Sequence, residues 1–136
     1  MKVTLIAPYI NDKIGEDFYP SAALLYLAAV LRANKHEPIM VDLNNVVVHR
    51  KKEKYFEYCK KIIIDNLKEH KPDLVGINCI FAGVFPDLVK FAKIIKTISP
   101  NTKIVIGGIH PTFFPKEILT NCKEIDYIAL AEGEKA

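Results

Sequence analysis

The sequence predicts an α/β domain, a doubly wound parallel sheet of five strands with helices on both faces. Three observations carry that expectation. Short β-branched runs alternate with longer stretches of helical periodicity along the whole chain. Runs such as residues 104–106 are apolar throughout, as strands buried on both faces of a parallel sheet are. The stretches between the runs are long enough for right-handed helical crossovers.

The elements follow in order. Residues 2–7 form the first strand, and 8–19 a polar loop with Gly15 and several acids. Pro20 and Ser21 signal a helix start, so 21–33 is a helix whose Leu24, Leu25, Leu27, Ala28 and Leu31 make a wide apolar face. The second strand, 37–43, carries Pro38 near its start, which suits an irregular beginning or an edge position. A connection over 44–50 leads into a long helix, 52–70, with Tyr55, Cys59, Ile62, Ile63 and Leu67 on one face. The third strand is 74–78, followed by a loop around Gly83 and a helix, 87–98, with Leu88, Phe91, Ile94 and Ile95 inward. The fourth strand, 103–106, stops at Gly107-Gly108 and opens into a loop; a short helix, 115–121, and a fifth strand, 126–130, complete the chain. For this pattern a flavodoxin-like, Rossmann-like order, 2-1-3-4-5, is expected, with the switch point between the first and third strands.

Composition excludes several classes. At 136 residues, half of them apolar and 26% charged, the chain reads as one globular domain, 1–136, with a real core. A net charge of +3 is too small for a nucleic-acid or membrane surface, and the run 49–54 reads as a solvated helix start. No apolar run reaches the roughly 18 residues of a membrane helix, and no secretory signal opens the chain, so a cytoplasmic protein is expected. Cys59, Cys79 and Cys122 lack metal-ligand or disulfide spacing and read as small buried hydrophobes, Cys79 drawing attention only by its place. His36 precedes the second strand at the opposite edge, and His70 suits a helix C-terminus.

In open α/β sheets ligands bind at the C-terminal ends of the strands. Four loops meet there. They carry Pro8, Tyr9, Asn11 and Gly15; Asn78, Cys79, Ile80, Phe81, Ala82 and Gly83; Gly107, Gly108, His110 and Thr112; and Glu132, Gly133 and Glu134. The place of a dinucleotide-binding glycine motif reads Ala7-Pro8-Tyr9-Ile10, and no Walker loop or nucleophile elbow is present. A phospho-acceptor site fails at Ala7-Pro8, Asn78 and Ala131, where carboxylates and a lysine are needed. Small residues, aromatics and neutral hydrogen-bonders suit a large, flat, mostly neutral ligand.

The order of Pro-x-x-x-Leu at the first helix, Pro72-Asp73-Leu74-Val75-Gly76-Ile77, Gly107-Gly108-x-His110-Pro111-Thr112, Asp126-Tyr127-Ile128 and Glu132-Gly133-Glu134 carries a resemblance. The chain resembles the N-terminal cobalamin-binding domain of cobalamin-dependent radical S-adenosylmethionine enzymes. That group includes the anaerobic magnesium-protoporphyrin monomethyl ester cyclase, and the resemblance covers essentially all residues.

It implies a corrinoid, cobalamin, held by Pro8, Tyr9, Asn78, Cys79, Ile80, Gly83, Gly107, Gly108, His110, Thr112, Glu132 and Gly133. Gly107 and Gly108 match the pair that lets the nucleotide tail lie against the sheet. Asn78 and Ile80 match a Ser-x-Leu whose Ser contacts the dimethylbenzimidazole. The first loop has Asp12 and Gly15 but no cobalt-ligating His, so no residue of this chain is expected to bind the metal.

It implies further a radical S-adenosylmethionine catalytic domain in cis, with a [4Fe-4S] cluster and S-adenosylmethionine, which this chain lacks. The chain alone is then not an enzyme; the longer protein would be a methyltransferase or a cyclase. A chain that stops at Ala136, without a sixth helix over the last strand, fits an N-terminal piece of such a protein.

Each residue also has a plainer reading. Gly107-Gly108 could only shape a turn, with substitution of Gly108 expected to spare folding and to lower binding. His110 could fix its loop, Thr112 could cap a turn, and Glu132 and Glu134 could be solvated. A module that has lost cobalamin and only positions partners, or a flavodoxin-like flavin carrier, are the competing functions.

Overall fold

The computed structural model describes residues 1–10, 21–47 and 51–135. Its strands are β1 (Lys2–Ala7), β2 (Glu37–Asp42), β3 (Leu74–Asn78), β4 (Lys103–Gly107) and β5 (Tyr127–Ile128). Its helices are α1 (Ala22–Ala33), α2 (Leu43–Val47), α3 (Tyr55–His70), α4 (Phe85–Ile98), α5 (Ile109–Phe113) and α6 (Pro115–Asn121). All strands are parallel, in the order β2-β1-β3-β4-β5. The expected flavodoxin-like topology and its switch point beside β1 are both present.

The pleat sends alternate side chains to opposite faces. Ile6, Val75, Ile77, Ile104 and Ile106 pack under α3 and α4, against Cys59, Ile63, Leu67, Leu88, Phe91 and Ile95. Phe91 is fully buried, and its ring stacks on Phe56 at 5.0 Å. Burying a side chain of that size stabilises the fold by about 2–3 kcal/mol. Val3, Leu5 and Ala7 face the other way and meet Leu24 and Ala28 of α1. Ser21 caps α1 by accepting the Leu24 N–H at 3.5 Å. Its partner signal, Pro20, lies outside the described residues, as do Asn11, Asp12 and Gly15.

Several local expectations are corrected. Residues 44–50 were expected to be a connection, but Leu43–Val47 is helical: the Asp42 carboxylate accepts the Asn44 N–H at 3.0 Å and turns the chain directly after β2. The long helix starts at Tyr55, after a 3-10 turn at Lys52–Lys54, and Ile62 sits on its exposed side. Helix α4 begins at Phe85, because Pro86 is tolerated in the first turn. The loop after β4 contains a full helical turn, α5. Strand β5 is shorter than 126–130: the Asp126 side chain takes the Ile104 N–H at 2.8 Å, and Ala131, at φ 56°, turns the chain away. Leu25 and Tyr26 of α1 are also exposed, so the wide apolar face of that helix is only partly covered. No helix among the described residues is long and apolar enough to cross a membrane.

Candidate functional site

The last level of the sheet before the C-terminal edge is a row of small side chains. Asn78 pairs with Gly107 in register, and the neighbouring registers bring Ala7 and Ala129 level with them. A β-carbon built on Gly107 would lie 3.4 Å from the Ala129 β-carbon, so the two share a face. It is the face that α1 covers further along β1. Ala7, Asn78, Gly107 and Ala129 therefore form a shallow trough with one hydrogen-bonding side chain in it. Ala7 is buried, whereas Asn78, Gly107 and Ala129 are half-buried, so the row is most accessible along β3 to β5.

The glycine pair divides into two roles. Gly107 has no unusual φ and ordinary space around it. Gly108 sits at φ 108°, and a β-carbon on it would fall 2.6 Å from the Cys79 carbonyl oxygen and 2.8 Å from Asn78 Oδ1. Only glycine fits, because both the dihedral and the space exclude a side chain. Substitution of Gly108 would thus damage the loop itself, against the expectation that folding would be spared.

Close backbone contact explains this need. The Cys79 N–H donates to the Gly107 carbonyl at 2.7 Å, and the His110 N–H donates to the Cys79 carbonyl at 3.3 Å. The loops after β3 and β4 are zipped together. Cys79 is buried under them, its thiol donates to the Phe81 carbonyl at 3.8 Å, and burial pushes that thiol up to about 11. Cys59 is likewise buried and pushed up to about 12, first by desolvation and then by the Asp87 charge.

His110 is half-buried, its ring between Phe85 at 4.9 Å and Phe114 at 5.2 Å. Aromatic packing holds the ring. Thr112 donates to the Gly108 carbonyl at 2.8 Å and accepts from the Ala131 N–H at 3.1 Å. The hydroxyl bonds back to the start of α5 and across to Ala131, rather than capping the turn that follows it.

The loop after β1 is turned inward. Pro8 and Tyr9 are buried, and the Tyr9 hydroxyl donates to Asp87 of α4. Burial first, then the Asp87 hydrogen bond and charge, raise the phenol above its ordinary value. The Tyr9 ring meets Tyr55 edge-on at 5.7 Å. Asn44 brackets the same loop: its side chain accepts from the Ile10 N–H at 3.0 Å and donates to the Pro8 carbonyl at 3.0 Å. Asp42 accepts from the Ser21 N–H at 3.2 Å. Sequence reasoning missed these two. The signal was Asp-x-Asn at a strand end, a pattern in which short polar side chains bond to nearby backbone.

Outside the trough the edge is apolar. Ile109 is 60% exposed and Phe113 is 72% exposed, and Ile80, Phe81, Phe114 and Leu130 are exposed beside them. The Phe81 ring lies over Gly83, where a β-carbon would meet it at 2.6 Å. Glu132 is exposed, and Gly133 lies against Leu27 of α1, so the loop after β5 crosses toward that helix. Apolar patches of this kind mark ligand or partner contacts. Among the described residues no group of three His, Cys, Asp or Glu side chains is placed to hold a metal ion.

Comparison with known proteins supports the family and the fold. Residues 9–136 match the family described as the B12 binding domain. The chain is 31% identical, over 98% of its own length and 27% of the relative's, to an uncharacterized methyltransferase of Pyrococcus horikoshii. It is 30% identical to the anaerobic magnesium-protoporphyrin IX monomethyl ester cyclase of Rubrivivax gelatinosus, over 99% of this chain and 23% of that one. It thus spans about a quarter of the length of these relatives. A crystal structure of a cobalamin-binding protein from Desulfitobacterium hafniense DCB-2 shares the fold, with a TM-score of 0.63 and 16% identity over 98% of this chain and 54% of that one. By a match that runs through nearly every residue, the chain belongs to the B12-binding domain family.

Proposed function

We propose that this chain binds cobalamin at the C-terminal edge of its sheet. The observation that carries the reading is the row Ala7, Asn78, Gly107 and Ala129, whose small side chains leave a trough for the nucleotide tail. Asn78 supplies the hydrogen-bonding side chain in it. The half-buried imidazole of His110 and the exposed Ile109, Phe113 and Leu130 offer contacts to the amide-rimmed, largely apolar macrocycle. The remaining predicted contacts divide by depth. Ile80, Gly83, Glu132 and Gly133 lie at the edge itself, whereas Pro8, Tyr9 and Cys79 shape it from beneath. Thr112 links two of its loops.

When bound, cobalamin supplies the cobalt chemistry, and the protein binds it, orients it and limits access to it. We place the chain in cis with a radical S-adenosylmethionine domain that would hold a [4Fe-4S] cluster, serving a methyl-transfer or cyclase-type reaction. Support comes from the similarity to a methyltransferase and to a cyclase that are each about four times as long.

The test is retention of hydroxocobalamin on gel filtration, followed by visible absorbance under oxidising and reducing conditions. Wild type should co-elute with corrin. Gly107→Leu should fill the trough and abolish retention while changing stability by less than about 1 kcal/mol. A wild-type chain that elutes colourless under both conditions would sink the reading.

A further inference from the structure

The loops after β3, β4 and β5 are joined end to end by hydrogen bonds, and the Thr112 hydroxyl is the link between the last two. Its single proton goes to the Gly108 carbonyl, so it has none to donate to a ligand. Its oxygen accepts the Ala131 N–H at 3.1 Å. Ala131 holds φ 56°, in the left-handed region that a β-carbon disfavours. That turn sends the chain to Gly133, which packs on Leu27 of α1. One hydroxyl thus bonds both the Gly108 carbonyl and the N–H of the left-handed Ala131, at the turn that leads to α1.

We infer that Thr112 is a positioning residue: its hydroxyl sets the left-handed turn at Ala131 and thereby shapes the corrinoid-binding edge without touching the corrinoid. The inference rests on the cobalamin reading. Its physical basis is that strained backbone persists where the surroundings over-determine it, commonly beside ligands. Valine keeps the shape of threonine and loses the hydroxyl, whereas serine keeps the hydroxyl. Glycine adopts the left-handed region freely and does not need the hydroxyl to hold it there.

The experiment compares Thr112→Val, Thr112→Ser and the double variant Thr112→Val with Ala131→Gly in the 136-residue chain. Hydroxocobalamin affinity and amide hydrogen exchange at residue 131 are the two readouts. Thr112→Val should weaken binding about tenfold and speed exchange at Ala131 about tenfold, Thr112→Ser should stay within about threefold of wild type, and the double variant should recover most of the affinity. Recovery by a glycine that supplies no hydroxyl separates positioning from ligand contact. Unchanged binding in Thr112→Val overturns the inference, and so does a double variant that stays weak, which would place the hydroxyl on the corrin itself. If wild type retains no corrin, the cobalamin reading falls, and the exchange rate at Ala131 still decides the positioning role: no change in Thr112→Val removes it.

Discussion

The two ends of the sheet are built from opposite chemistry. At the C-terminal edge, backbone bonds to backbone across neighbouring loops, and large apolar side chains face outward. At the N-terminal edge, charged side chains bind each other and the backbone. There Asp126 accepts from Lys96 Nζ at 2.7 Å, from Lys103 Nζ at 3.0 Å and from the Ile104 N–H. Asp73 accepts the Lys2 N–H at 2.8 Å, and the buried Thr102 donates to the Pro72 carbonyl at 2.8 Å. A wide hollow of about 630 Å³ lies at this end, lined by Lys2, Lys35, His36, Glu37, His70 and Asp73 among others. It is open, and some of its polar groups serve one another, as Asp73 does the Lys2 N–H and His36 the N-terminal amine. The difference teaches that the charged end closes the fold, while the end with fewer charges keeps bare backbone and apolar surface available.

The largest effect that would break this contrast is at Gly108. Replacement by valine forces a side chain into the space of the Cys79 carbonyl at a dihedral that disfavours it. A loss of about 3 kcal/mol by urea unfolding is expected, together with loss of corrin binding. A fully stable Gly108→Val chain would show that the loops are not zipped as described.

Next in size is Asp126→Asn, expected to cost about 2 kcal/mol at neutral pH and to leave corrin affinity unchanged, because it acts at the other end. Burial opposes ionisation of Asp126, but hydrogen bonds from Lys96, the Ile104 N–H and Lys103 outweigh it and hold the carboxyl below its ordinary 3.8. A depressed folded value means stabilisation that is complete above the unfolded value and lost as pH falls through the folded one. Wild type should therefore lose this contribution on acidification below about pH 4, whereas the Asn variant should lack that part of the pH dependence. Equal acid sensitivity in both would remove Asp126 from the account.

The smallest stability effect belongs to Phe113→Ser. A side chain that is 72% exposed supports little, so the unfolding midpoint should shift by no more than about 0.5 kcal/mol. Corrin retention should nevertheless fall several-fold. Loss of stability without loss of binding would invert the reading of that surface.

Much of the architecture was legible in the residues. Continuous runs such as Ile104-Val105-Ile106 announce strands buried on both faces, and Leu88, Phe91 and Ile95 at helical spacing announce the face that covers them. Pro38 pointed to an irregular start or an edge position, and β2 is an edge strand. The glycines after β4 marked the edge, but not the separate needs of Gly107 and Gly108. Helices α2 and α5 were hidden because each is a single short turn set by contacts outside itself, to Asp42 in one case and Gly108 in the other. Tyr9 sat among the surface loop residues in the sequence, and only its distance to Asp87, 78 positions away, shows why it turns inward.

The sequence by itself determined the five-stranded alternating order, the faces of its main helices and the edge at which small residues gather. Periodicity and composition are local properties, and those features follow from them. The tertiary structure alone decided that Gly108 serves loop packing, that Thr112 ties Gly108 to Ala131, and that Asp126 binds two lysines. Each of these joins residues distant in the chain through a few ångströms of space, and no local pattern encodes such a distance.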